Sequence, residues 1–182
     1  MNHDRPSSEV ELKAILDSAY SLARKSQYDQ ALSVCDWLIE DKATELAGYR
    51  ERAAVKEHMS DIVGAIGDLQ TVIAHPDKEP ADFHSLGLLL LQNGDTVDAI
   101  GAFNQAIVLG TEANFHYYTN SSHLFRAVAH LKRTNFAEAL ADVVRLPTGY
   151  KANLPDSGMH SKEDIATEAK AGLASKLTRR FL

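Results

Sequence analysis

Small and apolar residues recur along the chain at a fixed interval. A five-residue segment with alanine in its fourth position occurs three times, and its alanines are residues 31, 65 and 99, so neighbours are 34 residues apart. A fourth copy, Phe136-Ala137-Glu138-Ala139-Leu140, follows after 40 residues. A constant interval of this length indicates a series of helix–turn–helix units.

Other positions keep the same phase as these alanines. Twelve residues before each alanine stands a small residue, as close helix contact requires: Ala19, Ala53, Gly87 and Ala127. Apolar or small residues also stand four and seven residues after it: Cys35, Leu69, Phe103 and Val143, then Leu38, Val72, Ala106 and Leu146. The pattern predicts that Ala31, Ala65, Ala99 and Ala139 are buried where the paired helices of a unit meet.

The last part of the chain has a different pattern. Its apolar residues lie four apart: Ile165, Ala169, Leu173 and Leu177. They predict an amphipathic helix over about 162–178, opened by Ser161 with Asp164 three residues later. Residues 148–160 are rich in Gly, Asn, Pro and Ser and predict a connecting loop. The whole chain is therefore predicted to form nine helices and no β-sheet.

These residues resemble the tetratricopeptide repeat (TPR) family over residues 12–147. The third copy matches best, because Leu86-Gly87, Asn93-Gly94-Asp95 and Ala99 are typical of that family. The position that usually holds tryptophan departs from the family pattern and carries Ile15, Tyr49, Phe83 and His123. The resemblance implies an all-α fold, a right-handed α-solenoid of about four helix–turn–helix TPR units plus a C-terminal capping helix.

The predicted organisation follows from these boundaries. Residues 1–8 form an N-terminal tail, and residues 9–147 contain the four TPR units. The units cover about 12–45, 46–79, 80–113 and 120–147, with an insertion near 111–119. The loop at 148–160 then leads to the capping helix in 161–182.

The resemblance also implies where a ligand would bind. In TPR proteins the ligand usually lies along a concave groove, and the repeat phase places nine candidate residues there: Lys13, Tyr20, Arg24, Arg50, His58, His84, Leu88, Leu124 and Lys132. The basic residues in this set predict a protein or peptide partner of acidic character, with apolar contact from the leucines and the tyrosine. The same charges are equally expected as scattered solubilising residues.

The insertion contains three aromatic residues, Phe115, Tyr117 and Tyr118. If they are exposed, they are good contact residues for a partner. If they are packed, they form a longer start of the helix that opens the fourth unit. The sequence leaves both interpretations open.

Charge and hydropathy exclude several classes of partner. The chain has 19 Lys and Arg against 25 Asp and Glu, a formal net charge of -6, whereas nucleic-acid-binding proteins carry a basic surplus. The longest apolar run, around 86–91, is far shorter than the roughly 20 residues of a membrane span. The first residues are charged and lack an apolar stretch, and Cys35 is the only cysteine. We therefore expect a cytoplasmic protein without an intrachain disulfide.

Residue chemistry predicts no catalytic site, metal or cofactor. His116, His123 and His130 recur every seven residues, but neighbours on one helix would lie about 10.5 Å apart, too far to share a metal ion. His123 and His130 are instead expected to pack in the core, and Cys35 to be a buried, inert thiol. No phosphate-binding loop, nucleophile elbow or zinc-type spacing is present.

The leading hypothesis is therefore a protein–protein interaction module, an adaptor or scaffold that binds a partner in its concave groove. A narrower alternative is a dedicated cytoplasmic client binder, such as a secretion chaperone or a toxin-neutralising immunity protein. An enzyme is a distant third hypothesis, because no clustered titratable residues support it.

Overall fold

The computed structural model describes residues 5–154 and 158–178. The chain divides into two compact units. Unit 1 ends at Lys78, and unit 2 begins at Glu79. Nine helices are present in the described part of the chain, which confirms the predicted number. None of these described helices is long and apolar enough to cross a bilayer.

Unit 1 consists of two helix pairs. The helices are α1 (Glu9–Arg24), α2 (Tyr28–Ile39), α3 (Glu45–His58) and α4 (Ile62–Ala74). Each helix packs against the next, and α1 also contacts α3. The core of α1, α2 and α3 is built largely from small side chains, with Ala19, Ala31, Cys35 and Val55 all buried.

Unit 2 contains two helix pairs, a hairpin and a final helix. The elements are α5 (Pro80–Asn93), α6 (Thr96–Glu112), α7 (His116–Lys132), α8 (Phe136–Val144), β1 (Lys151–Leu154), β2 (Gly158–Ser161) and α9 (Lys162–Thr178). The predicted insertion near 111–119 is mostly helical, because α6 and α7 each extend to 17 residues. Only Ala113, Asn114 and Phe115 remain as the turn between them.

The predictions of no sheet and of a plain loop at 148–160 are wrong. β1 and β2 form an antiparallel hairpin in which Lys151 pairs with Ser161 and Leu154 pairs with Gly158. β1 contacts α7 and β2 contacts α9, and Leu154 is buried. These strands are four residues long and depend on tertiary contacts, which turn-forming residue types do not reveal.

The predicted repeat phase is confirmed at the helix contacts. Ala31, Ala65, Ala99 and Ala139 are all fully buried. Gly87 shows how close the paired helices lie, because a Cβ atom at this position would stand 2.6 Å from Cε1 of Phe103. Helices α5 and α6 therefore approach each other at a distance that only glycine permits without a shift.

The turn inside each helix pair has the same backbone form. Ser26, Ser60, Gly94 and Thr134 all adopt positive φ angles between 56° and 93°. The amide that follows closes the turn onto the helix end, as in the 2.8 Å bond from the Asp61 N–H to the Lys56 carbonyl oxygen. This left-handed closure satisfies carbonyl groups that the helix end leaves unpaired.

An ionic clamp around the buried Asp68 joins three helices of unit 1. Arg52 of α3 donates two hydrogen bonds to Asp68 of α4, at 3.0 and 2.7 Å, and one of 2.7 Å to Asp36 of α2. Lys56 adds a contact of 2.7 Å to the Asp68 carboxylate. Asp68 is buried, so these two cations compensate for the contact with water that its side chain has lost.

Unit 2 repeats this clamp at the same repeat positions. Arg126 of α7 donates to Asp142 of α8, with Nε at 2.9 Å from Oδ2, and also to Asn104 of α6. Burial opposes ionisation of Asp142, but the bonds from Arg126 and His123 lower the pKa of its carboxyl. Arg126 and Asp142 each lie 74 residues after their counterparts in unit 1, the same distance that separates Ala139 from Ala65.

Glu51 of α3 is partly buried and does not take part in the ionic clamp of unit 1. Its Oε1 atom is buried without a hydrogen-bond partner. Burial raises the pKa of the Glu51 carboxyl, and the carboxylate of Asp17 on α1 raises it further. Because the folded pKa lies above the unfolded one, stability falls as the pH rises through the folded pKa.

Substitutions in α4 should distinguish packed from open repeat positions. Ala65→Leu inserts extra carbon atoms at a fully buried contact, and we expect it to lower the free energy of unfolding by about 1–3 kcal/mol. Gly67→Ala is the matched control, because a Cβ atom there meets no atom within 4 Å. It should stabilise the protein by up to about 1 kcal/mol, since alanine favours a helix. Urea denaturation measures the free energy of unfolding of both variants. Equal effects of the two substitutions would contradict the predicted repeat phase, in which position 65 is packed and position 67 is open.

Glu51→Gln should make the protein more stable near neutral pH, because it removes the ionisation that the folded state disfavours. We expect its melting temperature to exceed that of the wild type at about pH 7. The difference should shrink toward pH 4.5, the ordinary pKa of a glutamate, where the wild-type carboxyl is increasingly protonated. Glu168→Gln, at an exposed site in α9, should show no such trend. If the difference in melting temperature between Glu51→Gln and the wild type did not change with pH, the raised pKa of Glu51 would be contradicted.

Candidate partner-binding surface

The predicted groove residues of unit 1 lie on α1 and α3, which contact each other. Lys13, Tyr20 and Arg24 are exposed on α1, and His58 is exposed at the end of α3. The rings of Tyr20 and His58 lie 5.7 Å apart at an angle of 56°. The structure therefore brings these two predicted residues together on one face of unit 1.

The charge of this face is mixed rather than uniformly positive. Arg50 of α3 is partly buried, and its Nη2 donates a hydrogen bond of 3.2 Å to the Asp77 carbonyl oxygen. The carboxylate of Asp17 lies close enough to Glu51 to add to the effect of burial, which raises the pKa of the Glu51 carboxyl. Lys13 and Arg24 are thus exposed cations on a face that also holds acidic groups.

Two of the four predicted groove residues of unit 2 are buried, so the expectation that they are accessible is wrong. Leu124 in α7 is 0% exposed. Helix α7 contacts β1 and α9 as well as α5, α6 and α8. The repeat pattern alone could not predict the contact with β1, because the hairpin is not part of the repeat. Leu88 is partly buried, whereas Lys132 is exposed.

His84 is the second buried residue, and it packs among aromatic rings of its own unit. Its ring lies 5.4 Å from that of Tyr118 and 5.9 Å from that of Phe125. Its Nδ1 lies 2.9 Å from the Ser122 hydroxyl. Burial lowers the pKa of His84 to about 4, so the imidazole is neutral near pH 7 and offers no charge to a ligand.

The insertion places three aromatic side chains together at the start of α7. Phe115 and Tyr118 stack with ring centroids 5.4 Å apart and an angle of 26°. Tyr117 meets Tyr118 edge to face at 5.1 Å and 84°. Phe115 is 49% exposed and Tyr117 is 70% exposed, whereas Tyr118 packs on His84. Both interpretations of the insertion are therefore partly correct, since the helix is longer and two of its three rings face solvent.

Tyr150 adds a fourth ring, just before the hairpin. Burial raises the pKa of the Tyr150 hydroxyl, nearby Tyr117 raises it further, and a hydrogen bond with Ser121 partly offsets these effects. The sequence pattern did not identify this residue, because it lies in the segment interpreted as a loop. We call Phe115, Tyr117, Tyr118 and Tyr150 the aromatic cluster.

Acidic side chains lie near the aromatic cluster. Burial raises the pKa of Tyr118, and Tyr117, Glu79 and Asp82 raise it further. Glu79 and Asp82 also cap the start of α5, where each side chain accepts from the other's backbone N–H. The cluster thus combines exposed apolar rings with phenol groups and neighbouring carboxylates, a composition typical of contact residues in protein interfaces.

Cys35 and His123 are part of the packing, whereas His116 is exposed. Burial raises the pKa of the Cys35 thiol to about 12, so the reactive thiolate is scarce near neutral pH. His123 lies 2.8 Å from Asp142 within the clamp of unit 2. Among the residues for which coordinates are described, no group of three His, Cys, Asp or Glu side chains is arranged to hold a metal ion.

Comparison with known proteins rests on structure rather than on sequence. No family model matches the chain, and no curated protein sequence matches it significantly. Solved structures match it with low identity. One is a putative kinesin light chain with nearly identical TPR-like repeats from Podosopora anserina, with a TM-score of 0.68 and 15% identity over 96% of this chain and 92% of the other.

Two further solved structures agree with this match. YrrB, a TPR protein with an unusual peptide-binding site, has a TM-score of 0.67 and 15% identity over 91% of this chain and 77% of its own. MamA has a TM-score of 0.62 and 14% identity over 73% of this chain and 69% of its own. Together with the buried alanines and the recurring turns, these likenesses show that the chain has the tetratricopeptide-repeat fold.

Proposed function

We propose that this chain is a protein-interaction module and that the aromatic cluster is the surface that contacts its partner. The observation that carries the proposal is the exposure of Phe115 and Tyr117, at 49% and 70%, at the start of α7, whereas Phe125 farther along the same helix is buried. Aromatic side chains bury large areas on binding and dominate the energy of many interfaces. The peptide-binding site of YrrB, a protein of the same fold, supports a role in binding a protein segment.

The geometry of the cluster supports contact by side chains of a partner rather than by a deeply enclosed small molecule. Tyr118 is fixed between His84 and the two neighbouring rings. Phe115 and Tyr117 therefore both contact a ring that is packed against His84, while much of each of the two rings stays exposed. Little side-chain freedom is lost when such pre-ordered rings meet a partner, and this favours binding.

The aromatic cluster can be tested by affinity capture followed by calorimetry. The double variant Phe115→Ser with Tyr117→Ser should lose a partner that the wild type captures, and its affinity should fall at least about tenfold, or 1.4 kcal/mol. Val97→Ser is the matched control, because Val97 in α6 is 59% exposed and lies outside the cluster. It should bind as the wild type does. Equal binding by all three proteins, or no specific capture by the wild type, would overturn the proposal.

We also propose that the partner segment carries acidic side chains that pair with the exposed cations of α1. The support for this comes from Lys13 and Arg24 on the exposed side of α1. Each exposed ion pair contributes only about 0–1 kcal/mol, so apolar contact must supply most of the affinity.

The charge proposal requires a separate measurement. Lys13→Glu should weaken binding of the captured partner by up to about fivefold and should reduce the dependence of the association rate on salt. Lys42→Glu makes the same charge change at an exposed position between α2 and α3 and should have a smaller effect. Stopped-flow measurements over a range of salt concentrations give the association and dissociation rates of each variant. Equal effects of the two variants would favour a general influence of net charge instead.

A further inference from the structure

The last helix of unit 2 has the position of the first helix of another repeat. α7 packs against α6 and also contacts α5, and α9 packs in the same manner against α8 and also contacts α7. In the described part of the chain, α5 and α7 are each followed by a second helix, α6 and α8, that packs on them. No such second helix follows α9 within the described residues.

An apolar groove lies open between α8 and α9. Its volume is about 440 Å³, and it is lined by Ala137, Leu140, Ala141 and Val144 of α8, by Arg145 directly after α8, and by Leu173 of α9. Val144 is 70% exposed. An exposed apolar surface of this kind, placed where a repeat protein normally packs its next helix, indicates a contact with another helix.

Leu173, which lines the groove, belongs to a stripe that runs along one face of α9. Ala166, Lys170, Leu173 and Leu177 follow one another at intervals of four, three and four residues, which places them on one face of a helix. Leu177 is 56% exposed. The contact with α8 uses a different face, where Ile165 and Ala169 are buried and Gly172 lies against the ring of Phe136.

Charges are segregated along α9. Residues 162–169 contain three acidic residues and one lysine, a net charge of -2, whereas residues 170–178 contain two lysines and no acid, a net charge of +2. A second helix of the same sequence complements this gradient when it runs antiparallel, and opposes it when it runs parallel. An antiparallel direction is also the one that the second helix of a repeat takes relative to the first.

We propose that the groove between α8 and α9 is a homodimer interface, in which the α9 helices of two chains pack antiparallel about a twofold axis. Each α9 then lies in the groove of the other chain and takes the place of a second helix. Such an interface is self-complementary, as a twofold dimer requires. A 17-residue helix is only about 25 Å long, so the interface is small and the dimer is weak. The proposal does not depend on the aromatic cluster.

Sedimentation equilibrium over a range of protein concentrations tests the interface. The wild type should show a monomer–dimer equilibrium. Val144→Glu and Leu177→Glu each place a charge at an exposed position on the interface and should raise the dissociation constant at least tenfold. Val97→Glu, at 59% exposure in α6, is the matched control and should dimerise as the wild type does. Circular dichroism melts should show that all three variants remain folded.

A second measurement tests the antiparallel direction. Spin labels on Ala171→Cys and Thr178→Cys lie at exposed positions, the first near the middle of α9 and the second at its end. The twofold axis is placed across α9 near residue 170, where its charge changes sign. At 1.5 Å rise per residue, the labels are then separated along the helix axis by about 3 Å at position 171 and by about 24 Å at position 178. The label distance across the interface is therefore clearly longer for position 178. Equal distances would overturn the antiparallel arrangement. A wild type that stays monomeric, or a control that loses dimerisation equally, would overturn the interface itself.

Discussion

The arginine–aspartate clamp is the interaction on which the helix pairs of each unit depend. Arg52 and Arg126 each bond to a buried aspartate on the following helix and to a polar side chain on the preceding one. A buried carboxylate without such partners is strongly destabilising, because it has lost its contact with water. Small residues at the remaining contacts let the helices approach closely enough for these bonds to form. The two requirements, close approach and a paired charge, thus act together in fixing how three successive helices pack.

The clamp also separates the repeats into two kinds. Arg52 and Arg126 belong to the second and fourth repeats, whereas the same position carries Ser18 in the first and Leu86 in the third. The acceptor on the preceding helix is Asp36 in unit 1 and Asn104 in unit 2, and both stand five residues after the alanine of their repeat. Each compact unit is therefore a two-repeat module with its own internal ionic link. The division of the chain between Lys78 and Glu79 falls between these two modules.

The sequence predicted the helical fold well because small residues at close contacts follow a strict period. Positions such as Ala65 and Gly87 reveal their packing by residue type alone. The hairpin was missed because Lys151–Leu154 and Gly158–Ser161 are strands only through contacts with each other and with α7 and α9. For the candidate site, the structure brings the rings of Tyr20 and His58 to 5.7 Å, and the repeat phase could not show that Leu124 is buried. The clamp could have been found from the sequence, since Arg and Asp recur together at an interval of 74.

The six extra residues between the third and fourth repeats have a consequence for the folding pathway. Two modules with the same clamp invite mispairing, in which the second helix pair of one module docks on the first pair of the other, a characteristic trap of repeat proteins. Their helices differ in length, because α3 has 14 residues and α7 has 17. An exchange would force the longer α7, which includes Tyr117, into a module whose preceding helix α2 has only 12 residues, against 17 in α6. The insertion therefore makes the exchanged pairing a poorer steric fit than the correct one, while both clamps keep the same chemistry.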